Sequence, residues 1–123
     1  MKNSAICTSR KESRPSITMD GSEIRELMHP ELHGNHNQSL AEAIIHPGFE
    51  TRLHKHRSSE ELYHVLSGSG RMTLGDRMFS VAPGDTICIE PGVEHMIKNT
   101  EHQDLVILCC CSPPYSHSDT ELL

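Results

Sequence analysis

Tryptophan is absent from the 123 residues, and two tyrosines and two phenylalanines are the only large aromatics. Such a chain has little on which nucleobases could stack. Positive charge is also short: 11 lysines and arginines stand against 17 aspartates and glutamates, a formal net charge of −6 with the histidines neutral. An acidic chain is a poor match for a nucleic-acid backbone or an anionic membrane. Short basic clusters occur at Arg10-Lys11 and within residues 52–57 and 71–77. They have acidic neighbours or sit on strands, and read as solvated faces. No apolar run nears the roughly 20 residues needed to span a bilayer as a helix. The longest, LVILCCC at residues 105–111, suits one buried strand. The opening stretch MKNSAICTSRKESRPS has no apolar segment of the kind a secretory leader carries, so a cytoplasmic protein is expected. The partner expected is a small molecule, with no nucleic acid and no membrane.

A disulfide framework is missing as well. Cys7, Cys88, Cys109, Cys110 and Cys111 make an odd number, and none of their spacings is a CxxC pair. Adjacent strand residues face opposite ways, so Cys109 and Cys110 are badly placed for a bridge. Reduced thiols that pack as small hydrophobes are the simplest reading. A reactive thiol or soft ligand at Cys109 or Cys111 is the functional alternative.

The organisation is one domain. Residues 1–20 carry no periodic pattern and read as a flexible N-terminal arm; residues 21–123 form the domain, with a core at about residues 38–112. Asp20-Gly21-Ser22 is a turn or cap. Ile24, Leu27 and Met28 have i, i+3, i+4 spacing, which predicts one or two helical turns ended at His29-Pro30. HGNHNQ is loop-like. From Ser39 onward short strands alternate with turn residues: SLAEAII, then ETRLHKH, then a hairpin series through ELYHVLSGSGRMTLGDRMFSV, then TICIE, VEHMIKN and DLVILCCC. The tail SPPYSHSDTELL, with two prolines, reads as a surface strap or lid and not as a strand. Strands at this spacing with no βαβ rhythm predict an all-β sandwich or small barrel.

What the chain has in quantity is histidine, ten in all. Six of these, His29, His33, His36, His64, His102 and His117, read as surface or core residues; His54 and His56 stand apart. Residues i and i+2 on a strand share a face, so this pair aims two imidazoles at one point. Glu61, Tyr63 and Val65 share a face of the next strand, while Glu60, Leu62 and His64 take the other. Val93, His95 and Ile97 share a face further on. If the three faces meet, three imidazoles and one carboxylate stand in an apolar interior. That donor set suits Mn, Fe, Co, Ni, Cu or Zn, and on an octahedral ion it leaves two positions open. Without a cation it is costly to bury.

The motifs around these residues resemble the cupin superfamily. Gly48, five residues, His54-x-His56, four residues, Glu61, six residues and Gly68 match its first motif in full. Gly84, Gly92, His95 and Asn99 match its second, with Glu90 where the motif has proline and Pro91 beside it. The departure touches a turn and no ligand. The resemblance selects Glu61 over Glu60. It implies a double-stranded β-helix, or jelly-roll, barrel holding one divalent transition metal (Zn, Fe, Mn or Ni) through His54, His56, Glu61 and His95.

Similar barrels host many chemistries, so fold alone does not name a reaction. A metal-dependent enzyme acting on a small molecule, by Lewis-acid or dioxygen chemistry, is the leading expectation. Tyr63 and His46 are its weak candidates for a catalytic group. A module that holds a sugar or small acid without turnover is the alternative, and a storage or structural role comes last. The strand at residues 105–111 is apolar on both faces, which predicts a homodimer.

Overall fold

The strand segments assemble into two antiparallel sheets. The computed structural model describes residues 6–123. In chain order the strands are β1 (Ser16–Ile17), β2 (Glu23–Met28), β3 (Ser39–Ile45), β4 (His54–His56), β5 (Glu60–Ser67), β6 (Gly70–Leu74), β7 (Arg77–Val81), β8 (Thr86–Ile89), β9 (His95–Asn99), β10 (Leu105–Ser112) and β11 (Thr120–Leu122). A short α-helix, α1 (Pro30–His33), follows β2. Among the described residues no helix is long and apolar enough to cross a membrane. One sheet has the order β1-β2-β3-β10-β5-β8 and the other β11-β4-β9-β6-β7. From β3 onward the chain crosses between the sheets at every step except β6 to β7, which gives the expected all-β jelly-roll.

Period-2 burial places the core between the sheets. On β5, Glu61, Tyr63 and Val65 are buried while Glu60 and Leu62 are exposed. On β10, Leu105, Ile107, Cys109 and Cys111 point inward and Val106, Leu108 and Cys110 lie on the outer face. Met72, Ile97, Leu105 and Ile107 are fully buried in this core, and the inward-facing histidines share the same interior.

Three elements differ from expectation. Residues 23–28 form β2, not helical turns. The segment pairs along β3 with Ile24 opposite Ala43 and Glu26 opposite Ala41. All six of its residues are half-buried; a strand covered on both faces shows no alternation, and the chance i, i+3, i+4 spacing misleads. The tail carries a strand after all: β11 pairs with β4, setting Thr120 opposite His56 and Leu122 opposite His54. Asp119 secures it, accepting from the Ser58 backbone N–H and hydroxyl and the Ser59 N–H at 2.6–3.1 Å. The strand expected over ETRLHKH is ordered ladder only at β4, with Glu50 bridging Lys98 upstream.

Residues 1–5 of the expected arm lie outside the described residues. From Ile6 the chain is docked on the six-stranded sheet. Arg10 makes a two-nitrogen contact to the Glu42 carboxylate at 2.8–3.0 Å, and the Thr8 and Ser13 hydroxyls donate to the Leu27 and Glu26 carbonyls.

Candidate metal centre

Both sheets supply the site. His54 and His56 project from β4, and His95 stands directly opposite His54 on β9. Glu61 reaches across from β5 in the other sheet. Their ligand atoms all lie within 4.8 Å of one another. Glu61 Oε1 is 3.0 Å from His56 Nε2 and 3.4 Å from His95 Nε2. The side chains are at most 7 % exposed and His95 is fully enclosed.

The outer nitrogens decide what the inner ones can do. His54 Nδ1 lies 2.7 Å from the Arg52 carbonyl and His95 Nδ1 2.9 Å from the Val93 carbonyl. A carbonyl only accepts, so both Nδ1 atoms carry the proton. His56 Nδ1 is 2.9 Å from Thr120 Oγ1, whose own proton goes to the Ser116 carbonyl. It too must donate. With each Nδ1 committed outward, three Nε2 atoms are left to converge on a carboxylate, and in a neutral ring each is the lone pair a metal needs. His95 Nε2 is buried with no hydrogen-bond partner. Outward acceptors that hold histidines in this tautomer are the usual support of a metal site. The donor set and its orientation fit a divalent transition metal.

Electrostatics agree. Burial, followed by the neighbouring His95, pushes the His54 imidazole below its ordinary value and so favours the neutral ligand form. Burial alone would raise Glu61, but His56 Nε2 at 3.0 Å, hydrogen-bonded when it carries a proton, and the nearby His95 outweigh it and hold the carboxyl at about 2 in the metal-free site. Glu61 is therefore an anion at any ordinary pH. Its Oε2 accepts from the Cys111 thiol at 3.2 Å. Burial raises Cys109 and Cys111, then Glu61 adds to it, so both cavity-facing cysteines stay thiols. All five cysteines are free.

A family model for the cupin domain matches residues 41–111. The chain belongs to the cupin family. This cupin is 52% identical, over 96% of its own length and 94% of the relative's, to an uncharacterized protein of Methanocaldococcus jannaschii. It is 35% identical to auxin-binding protein 1 of Arabidopsis thaliana over 68% of this chain, spanning 46% of that protein. In structure it resembles oxalate decarboxylase from Bacillus subtilis with a TM-score of 0.86 and 22% identity, covering all of this chain and 33% of that one. That last likeness concerns the fold.

The structure treats the two catalytic candidates differently. Tyr63 lines the cavity, its ring edge-on to His95 at 5.9 Å between centroids. Burial first, then Glu61, raises its phenol well above the ordinary range, so it is an O–H donor and not a base. His46 is not brought to the cluster. It is half-exposed beyond the end of β3, where Nδ1 meets Asp104 at 2.9 Å.

Other residues at the site of this cupin were not placed there by the sequence. Asp20, read as a turn residue, lies in the cavity wall with Oδ2 3.7 Å from His54 Nε2. Thr120 orients His56 from the tail. Tyr115 lines the cavity and stands edge-on to His56 at 5.7 Å; burial pushes its phenol up to about 12. Each reaches the site through pairing distant in sequence, which spacing alone does not reveal.

Proposed function

We propose that this cupin is a metal-dependent enzyme acting on a small molecule, with one divalent transition metal (Zn, Fe, Mn or Ni) held by His54, His56, Glu61 and His95. The observation that carries the proposal is the convergence of three Nε2 atoms, their Nδ1 partners committed outward, on an ionised, buried carboxylate. A bound metal would supply Lewis acidity, or dioxygen activation if it is redox-active. The chain does the rest. Arg52, Val93 and Thr120 keep the ligand tautomers, the apolar wall of Ile24, Ala43, Ile45 and Ile107 excludes water, and Tyr63 and Tyr115 remain protonated donors.

Elemental analysis of the purified chain should find about one metal per chain. His95→Ala and Glu61→Ala should lose it while keeping the far-ultraviolet dichroism of a folded β protein, and Glu60→Ala should keep both. No metal above background after reconstitution would end the proposal. A second reading, a ligand-holding module without turnover, draws support from the relative named as an auxin-binding protein. Proton NMR of the loaded chain with a panel of small molecules separates the two: conversion supports the enzyme, saturable line broadening without conversion supports the module.

A further inference from the structure

The cavity beside the metal ligands carries negative charge and no compensating cation of its own. Among the described residues no lysine or arginine lines it. Asp20, Glu26 and Glu61 do, and Glu61 belongs to the ligand set. Asp20 is held unusually firmly for a turn residue. Its Oδ1 accepts from the Thr18 hydroxyl, the Ser22 N–H and the Ser22 hydroxyl at 2.6–2.9 Å. Its backbone carbonyl accepts from the Arg52 N–H at 2.8 Å. The other oxygen, Oδ2, has no hydrogen-bond donor and faces His54 Nε2 across 3.7 Å; the side chain is 14% exposed. A carboxylate with one oxygen saturated and the other turned into a cavity is built to receive a donor.

Charge and space then limit the ligand. Glu61 and Asp20 together balance a divalent ion, so the loaded pocket is close to neutral. Burying a net charge there would go uncompensated. Burial pushes the Glu26 carboxyl up toward its neutral, donating form, with His29 and His117 opposing, so it adds no cationic relief for an anion. The cavity offers about 40 Å³ of free space. At roughly 10–15 Å³ for each water-sized group, it admits an ion and two oxygens. The rest of the ligand must remain toward the open side.

We infer that the ligand of this site is a neutral molecule that enters with two adjacent oxygens, a vicinal diol or an α-hydroxy carbonyl, and donates a hydroxyl hydrogen bond to Asp20 Oδ2. A small dicarboxylate offers the same two oxygens but brings its charge against Asp20 and donates nothing to it. The inference rests on the metal-site reading.

The test uses the full chain loaded with zinc, which is redox-inert, and elemental analysis before and after each titration. ¹H–¹⁵N NMR titrations compare neutral probes (D-xylose, myo-inositol, dihydroxyacetone) with oxalate and malonate. Wild-type chain should bind at least one neutral probe more tightly than either dianion. Asp20→Asn keeps the shape of the side chain and the zinc. It should weaken the neutral probe about 10-fold, the loss of one hydrogen bond to a charged group, and strengthen oxalate. Opposite shifts cannot come from a general loosening of the turn. Tighter dianion binding by zinc-loaded wild-type chain overturns the inference and needs no variant; so does an Asp20→Asn change in one direction for both ligand types. A chain that takes up no zinc overturns the metal-site reading first, visibly, before any ligand is added.

Discussion

Cys111 shows how a residue can serve a metal site without touching the metal. It stands opposite Glu61 in the β10–β5 ladder, and its thiol donates to the carboxylate oxygen that faces away from the histidines. One Glu61 oxygen is thereby oriented and the other left for the ion. Loss of such an outer contact typically lowers metal affinity 10–100-fold. Cys111→Ala should sit near the lower end, about 10-fold, because a thiol is a weak donor. Competition with a fluorescent zinc chelator measures it, with Cys110→Ala, on the outer face, as the unchanged control. The four ligands were legible in the sequence for two reasons: His54 and His56 share a strand face by local spacing, and the two cupin motifs selected Glu61 over Glu60 and picked out His95. The residues that orient them were not. Thr120 lies 64 positions from His56, and Asp20 reaches His54 only because Arg52 ties its turn to the barrel. The cysteine triplet announced its face alternation but not which face looked inward; that needed the partner strands.

At the scale of elements, the crossing between the sheets is made where there is no room for a side chain. A Cβ on Gly70 would fall on the Lys98 carbonyl of β9 and close to the Leu105 side chain. Gly68 has φ +79° and the same crowding against Asp104. Gly70 itself needs no left-handed backbone, so Gly70→Ala isolates the close approach from the conformational term. It should destabilise the chain by about 1–3 kcal/mol, the usual cost of forcing extra atoms into a packed region, read as a lower urea midpoint with the same slope. Gly84→Ala meets open space but sits at φ +92°, so its loss is conformational. The strands from β3 to β10 could be read from alternation and turn residues because one face of each is buried. β2 could not, being half-covered on both faces, and neither could β11, whose three residues are too few for a period and depend on the unpaired edge of β4 and on Asp119.

The whole molecule responds to pH and to its own outer surface. In the metal-free chain both Glu61 and His54 titrate lower when folded than when unfolded. Each therefore contributes stability that is complete above its unfolded value, and the unfolded state takes up protons first on acidification. Stability should begin to fall below about pH 6.5, the ordinary histidine value, and fall further from 4.5 toward about 2 as Glu61 is forced to protonate. Thermal unfolding of the stripped chain across this range checks it, and stability that rises on acidification would contradict it. The surface makes the second demand. Behind the site, the outer face of the six-stranded sheet presents Val106, Leu108 and Cys110, half-buried, beside Leu62 and Leu66 at 40% and 45% exposure. The docked segment around Arg10 meets this sheet at Glu42 and along β2. An apolar sheet face of this kind is poorly suited to water, and a second copy of the same face is its simplest cover, because a two-fold interface needs only self-complementarity. We expect a homodimer through β5 and β10. Light scattering should return twice the chain mass, and Leu62→Glu with Leu66→Glu should return a folded monomer that still binds metal, since both side chains point away from the ligands. A wild-type monomer at high concentration would show that the face is tolerated in water.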